Sequence, residues 1–154
     1  MSNPCILLYR IGNFFYRHKL RSLARLITWL NRFLFSAYIP SSATIGSNFR
    51  LGYWGLGVVI HNRAVIGDNC LVAQNATIGR NFGSQGVPRL GNDVYVGAGS
   101  AVFGDITVGD NVIIGANSVV NKDVPPNTVV AGNPFRILAS DRTQKYYELD
   151  DPDA

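Results

Sequence analysis

Between Ile60 and Val120 the chain returns an aliphatic residue at every sixth position. Ile60, Ile66, Val72 and Ile78 come first, then Leu90, Val96, Val102, Val108, Ile114 and Val120. Four places after most of these lies a second set, largely small: Ala64, Cys70, Ala76, Val94, Ser100, Ile106, Val112 and Ser118. A period of six fits neither a helix, whose period is about 3.6, nor an alternating strand. It is the period of a parallel β-helix in which each hexad forms one short flat side. The aliphatic residue then fills the coil centre. Glycine follows it at Gly67, Gly79, Gly91, Gly97, Gly109 and Gly115, and is expected to permit a sharp corner. Ile39, Ile45 and Leu51 extend the pattern upstream. The register then loosens from Gly52 to Val59, where Gly52, Gly55 and Gly57 crowd around Tyr53 and Trp54. At three hexads per turn, about 18 residues, the repeat predicts four to five coils. Pro125 and Pro126 are expected to end them.

The pattern is different in residues 1–38. Apolar residues recur at spacings of three or four, from Ile6 to Phe15 and from Leu20 to Leu34, which predicts two amphipathic helices at about 4–18 and 20–36. Asn3 or Ser2 caps the first, with Pro4 in its first turn. This segment holds Arg10, Arg17, Lys19, Arg21, Arg25 and Arg32 and no Asp or Glu. A helical cap over the open end of the coils is the expected role, since a solenoid end needs covering. Contact with an anionic membrane surface is compatible with it. No signal peptide is expected, because no apolar run ends in a small-residue cleavage site. Arginine interrupts every apolar stretch well short of the roughly 20 residues that a span needs. A cytoplasmic protein is expected, with the inner membrane face as a further place of contact. The basic residues are scattered among apolar ones and match no nucleic-acid module.

Composition adds limits. With 47% apolar residues the chain can bury a core, and its net charge of +4 is unevenly spread. Two cysteines far apart, Cys70 on an inward position, read as reduced thiols and not a disulfide framework. No Cys, His and carboxylate cluster has metal-ligand spacing, so no metal is expected. Residues Asn81 to Arg89 (NFGSQGVPR) interrupt the hexads and predict a loop protruding from one corner. Residues 139–154 are polar and end acidic, in Glu148, Asp150, Asp151 and Asp153; a short helix that frays is expected there.

The hexads, the segment LGYWGLGVVIHNRAVIG (Leu51 to Gly67), QNATIG (Gln74 to Gly79) and VVNKDVPPNTVVAGNPFRI (Val119 to Ile137) together resemble the hexapeptide-repeat acyltransferases. Within these the chain looks most like serine acetyltransferases and the sugar O-acetyltransferases of polysaccharide gene clusters. The resemblance covers residues 39–138. It implies an all-β, left-handed parallel β-helix with an N-terminal α-helical cap, a hand that general connection rules would not predict. The divisions implied are a cap (1–38), the β-helix acyltransferase domain (39–138) and a C-terminal tail (139–154).

The resemblance also implies a homotrimer with grooves between adjacent β-helices, and acetyl-CoA as co-substrate. Ala98 in VGAGS and Ala116 in IGANS would offer backbone atoms to the thioester arm. Asn121 and Lys122 in VVNKD and Arg136 in AGNPFR complete the cofactor site, with Lys122 and Arg136 on phosphate oxygens. In the serine acetyltransferases an insertion like Asn81–Arg89 reaches toward the neighbouring subunit. Those enzymes also carry two histidines, whose positions fall here at about Trp54 and at Val87. Members from polysaccharide clusters often read GGLGIVIH, and this chain reads WGLGVVIH. His61 is therefore the expected general base, with Tyr53, Trp54, Gln74 and Asn75 as acceptor-site residues and Gln74 and Asn75 orienting the imidazole or the acceptor. His18, on a basic helix, is structural. The expected reaction is O-acetylation of a small or lipid-linked sugar in exopolysaccharide or capsule synthesis. A non-catalytic scaffold and a serine O-acetyltransferase are the alternatives.

Overall fold

The computed structural model describes residues 3–83 and 85–149. Two helices lead, α1 (Pro4–Arg17) and α2 (Arg21–Phe35). The Asn3 side chain accepts from the Cys5 and Ile6 amides and Pro4 opens the first turn, so the expected cap is Asn3. Ser2, the other expected cap, and the terminal Asp150, Asp151 and Asp153 lie outside the described residues.

From Thr44 the chain winds as a left-handed parallel β-helix of three faces. The first face stacks Thr44–Ile45, Val65–Ile66, Arg89–Leu90 and Thr107–Val108. The second stacks Arg50–Leu51, Leu71–Val72, Tyr95–Val96, Ile113–Ile114 and Val129–Val130. The third stacks Val59–Ile60, Thr77–Ile78, Ala101–Val102 and Val119–Val120. In each pair the second residue points inward, and every aliphatic hexad residue from Ile60 to Val120 is buried. The second set, from Ala64 to Ser118, is buried with it. Non-polar burial of this continuous column is the main stabilising term, at about 25 cal/mol for each Å² removed from water.

Three expectations change. The glycines after the inward positions do not adopt the left-handed backbone that only glycine favours; Asn69, Asp93, Asn111 and Asn117 take it instead at the corners. At all of these positions but Gly79, glycine is needed because the next coil passes too close. A Cβ on Gly97 would lie 2.5 Å from the Ala116 nitrogen, and one on Gly109 2.6 Å from the Pro126 nitrogen. The proline pair does not end the winding. Val124 still bridges Val108, and Val129–Gly132 adds to the second face before Phe135–Ala139 folds back antiparallel on it. Finally, Phe135–Ala139 was expected to lie in coil and tail, yet forms an edge strand.

The C-terminal tail straps one corner. After Ala139 it runs back along the coils to a short 3₁₀ turn, Tyr146–Glu148. The buried Tyr146 hydroxyl donates to the Asn69 carbonyl at 2.7 Å, and Lys145 pairs with Asp93 at 2.9 Å.

The helices dock on the first coil by a small and polar surface. Tyr9 donates its hydroxyl to the Ala43 carbonyl at 2.7 Å and Ser41 donates to the Ala24 carbonyl, while Asn31 donates to the Cys5 carbonyl and joins α2 to α1. Ala24, Thr28 and Asn31 are the buried side of α2, whereas Leu23, Leu26, Leu30, Phe33 and Leu34 face outward. Among the described residues no helix is long and apolar enough to cross a membrane.

Candidate active site

The three faces meet at three corners, and the predicted site residues divide between two of them. His61 opens the corner between the third and first faces, directly after the inward Ile60. Its amide donates to the Ile78 carbonyl at 2.8 Å, which fixes the backbone to the next coil. The half-buried ring lines a shallow groove of about 220 Å³ with Tyr38, Val59, Asn62, Ile78 and Gly79. The Arg63 amide donates to Nδ1 at 3.2 Å, so this nitrogen accepts and the neutral ring carries its proton on Nε2; Nε2 becomes the basic nitrogen only in the other tautomer, with that bond given up. Partial burial lowers the His61 pKa below its ordinary value, and the positive charges of Arg63 and Arg80 lower it further. A neutral imidazole is the form able to take a proton.

The loop expected at Asn81–Arg89 does leave this corner, but it ends before Arg89, which already pairs with Val65 in the first face. Ile66 pairs with Leu90, a step of 24 where Val102 to Val120 takes 18, so the excursion adds six residues to one turn. Six is one hexad, which is why a count by sixes passes through it in phase. The Arg63 guanidinium donates to the Gln85 carbonyl, tying the loop to the coil of His61, and Phe82 at its tip is fully exposed.

Tyr53, Trp54, Gln74 and Asn75 stand at the other end of the third face, at its corner with the second. Gly52–Gly55 forms a short turn that projects Tyr53 and Trp54, 78% and 60% exposed. Both have positive φ, 45° and 57°, an unusual and strained conformation for aromatic residues. The Trp54 ring meets Phe35 of α2 edge to face at 6.2 Å. Gln74 and Asn75 pack against Gly52 and Gly57. The structure therefore corrects one expectation: Gln74 and Asn75 are not placed to orient the imidazole of their own chain, and the glycine-rich break does not open beside His61. Sequence distance is misleading here, because four residues carry the chain across a whole face.

Ala98 and Ala116 lie one coil apart at this second corner. The Ala98 carbonyl accepts from Asn117, while neither alanine's N–H has an intramolecular acceptor among the described residues. A Cβ on Gly97 would close the space beside Ala116. Asn121 and Lys122 follow the last strand of the third face at the His61 corner, and Arg136 stands on the final antiparallel strand. Lys122 and Arg136 are exposed and form no ion pair among the described residues.

The residues missed by sequence reasoning are Tyr38, Asn62, Arg63 and Arg80. Arg63 lies three residues after inward Ile60 and Arg80 two after inward Ile78, so the coil spacing would have placed both near His61. His18 bonds its own helix at Phe14 and packs on that ring at 4.1 Å, a structural role. Burial pushes the Cys5 and Cys70 thiols up to about 11, so neither is a ready nucleophile. Among the described residues no group of three His, Cys, Asp or Glu is arranged for a metal.

Residues 88–122 match the family described as bacterial transferase hexapeptide (six repeats). A serine acetyltransferase of Bacillus pumilus is 39% identical over 151 residues, covering 94% of this chain and 69% of its own. A serine acetyltransferase of Brucella abortus, solved with coenzyme A, superposes with a TM-score of 0.84 at 32% identity, covering 90% of this chain. The soybean serine acetyltransferase complexed with serine gives 0.82 at 32% identity, covering 87% of this chain. The chain spans 56% of each of these two solved structures. Sequence and fold thus agree, and the chain belongs to the serine acetyltransferase family of hexapeptide-repeat transferases.

Proposed function

We propose that the protein transfers an acetyl group from acetyl-CoA to a hydroxyl, with His61 as the general base. The observation that carries this reading is the half-buried imidazole that lines an open groove, where partial burial and two arginines disfavour its cationic form. As the hydroxyl attacks the thioester carbonyl, the unprotonated ring nitrogen takes its proton and later returns it to the leaving thiolate; Nε2 serves in this role once the ring's own proton sits on Nδ1, in place of the Arg63 bond. The oxyanion needs donors, and the unused amides of Ala98 and Ala116 are the available pair.

Imidazole and amides lie at opposite edges of one face, so a single chain does not unite them. A cyclic trimer joins unlike surfaces head to tail. It would set the amide corner of one copy beside the imidazole corner of the next, with Lys122 and Arg136 offered to the phosphates of CoA. Asn121, beside Lys122, is assigned to the same cofactor edge.

The relatives' names indicate L-serine as the acceptor, and this is the first reading. None of the relatives reported above is named for a sugar, so the sugar hydroxyl expected from the sequence becomes the second. It is favoured by the absence of histidine at Trp54 and Val87. Release of CoA thiol with L-serine and with sugars, assayed in parallel, separates the two. Titration with CoA tests the cofactor assignment. Lys122→Ala and Arg136→Ala should each weaken binding about tenfold or more, the loss of a charge-assisted bond of about 1.5–3 kcal/mol. Unchanged affinity in both would reject these contacts.

A further inference from the structure

The His61 groove does not stop at His61. A second cavity of about 510 Å³ lies between the helices and the first coil, and Tyr38 and Asn62 line both. Its far wall is formed by Arg21, Arg25 and Trp29 of α2, and Ser42 adds a hydroxyl. No carboxylate lines it. Neither Arg21 nor Arg25 has a hydrogen-bond or ion-pair partner among the described residues, and residues 1–38 hold no Asp or Glu to supply one. Trp29 and Tyr38 meet edge to face at 6.3 Å, and the indole N–H has no acceptor among the described residues. The volume falls within the range of small-ligand sites, about 300–1,000 Å³. A free amino acid at His61 would leave all of it unused.

Two unpaired guanidinium groups suit a phosphate or diphosphate, which they can hold by paired donors. Exposed aromatic surface suits the non-polar face of a sugar ring or a base. Asn62 and Tyr38 connect these elements to the imidazole. We infer that this cavity is the outer subsite for a glycosyl phosphate acceptor, with the phosphate on Arg21 and Arg25, the ring against Trp29 and Tyr38, and a sugar hydroxyl reaching His61. The inference rests on the reading of His61 as the base and extends the second acceptor reading.

Binding to the full chain tests it, with UDP-N-acetylglucosamine, N-acetylglucosamine and L-serine as probes. Calorimetry gives affinities, and Trp29 fluorescence in a Trp54→Phe background reports the site. The nucleotide sugar should quench Trp29 and bind at least tenfold more tightly than the neutral sugar. Arg21→Ala/Arg25→Ala should lose that advantage, tenfold or more, while circular dichroism and CoA affinity stay as in the parent. Arg21→Lys/Arg25→Lys, which keeps the charge, should retain part of it. Three results would overturn the subsite: no binding of the nucleotide sugar, equal binding of charged and neutral sugar, or a parallel loss of CoA affinity. The last would assign the arginines to the phosphates of CoA. Because the readout is binding, failure of this subsite and an inactive His61 site are separate results.

Discussion

At the scale of single residues, the chemistry of His61 depends on what surrounds it. Its lowered pKa comes first from partial burial, then from Arg63 and Arg80. The cationic form is the one disfavoured, so the base stays active to lower pH than a free imidazole would. The acid limb of kcat/KM should therefore fall below the ordinary histidine value of about 6.5. Arg63→Met and Arg80→Met each remove a nearby positive charge, which makes protonation easier. Both should move that limb upward, toward the ordinary value. A pH profile that is the same in parent and variants would show that the titrating group is not His61. The sequence indicated His61 as the lone histidine of the repeat. Arg63 stands two residues after His61 at the same corner, and only Arg80 comes from the next coil, where the spacing from Ile60 to Ile78 would have placed it.

At the scale of elements, the hexad count gave the coils because inward burial demands one aliphatic residue per side, and nothing else in the chain has that period. Two interruptions were visible in it without their consequences for the faces, and one strand escaped it. The six-residue excursion at Asn81–Arg89 equals one hexad, so it shifts the face without shifting the phase. The three-residue excess at Gly52–Gly57 moved Tyr53 and Trp54 to a corner away from His61. The strand Phe135–Ala139 carries no hexad pattern, since it runs antiparallel on an edge. The glycines were legible as a pattern, but their cause was not: close passage of the next coil depends on stacking that no local propensity reports. This has a test. Gly97→Ala places a methyl against backbone and should destabilise by about 1–3 kcal/mol, the usual range for overpacking. Gly79→Ala, where φ is not positive and the nearest atom is the Thr77 Cγ2 at 3.5 Å, an ordinary contact, serves as the comparison. Denaturant unfolding that ranks Gly97→Ala as the milder change would contradict the close-approach argument.

At the scale of the whole molecule, the described surface is divided by function. One corner is closed by the tail through Tyr146 and Lys145, and the end of the first coil is closed by α1 and α2. The two corners that flank the third face stay open, and they are the ones that carry His61 and the alanine amides. Assembly is what would bring them together, so sedimentation equilibrium should give a trimer at assay concentrations. A monomer that still turned over acetyl-CoA would refute the shared site. The outward row of Leu23, Leu26, Leu30, Phe33 and Leu34 on α2 reverses the usual arrangement of a packed helix, and the 86% exposure of Phe33 marks its extreme.

The central claim is that one imidazole at the loop corner performs the proton transfer. The most direct measurement is steady-state release of CoA from acetyl-CoA, with a hydroxyl acceptor, by the parent and by His61→Ala. Removal of a positioned base costs about 10²–10⁴ in rate. His61→Ala should lose that much in kcat while keeping its trimer mass and CoA affinity. Full activity in His61→Ala would contradict it and place the base elsewhere.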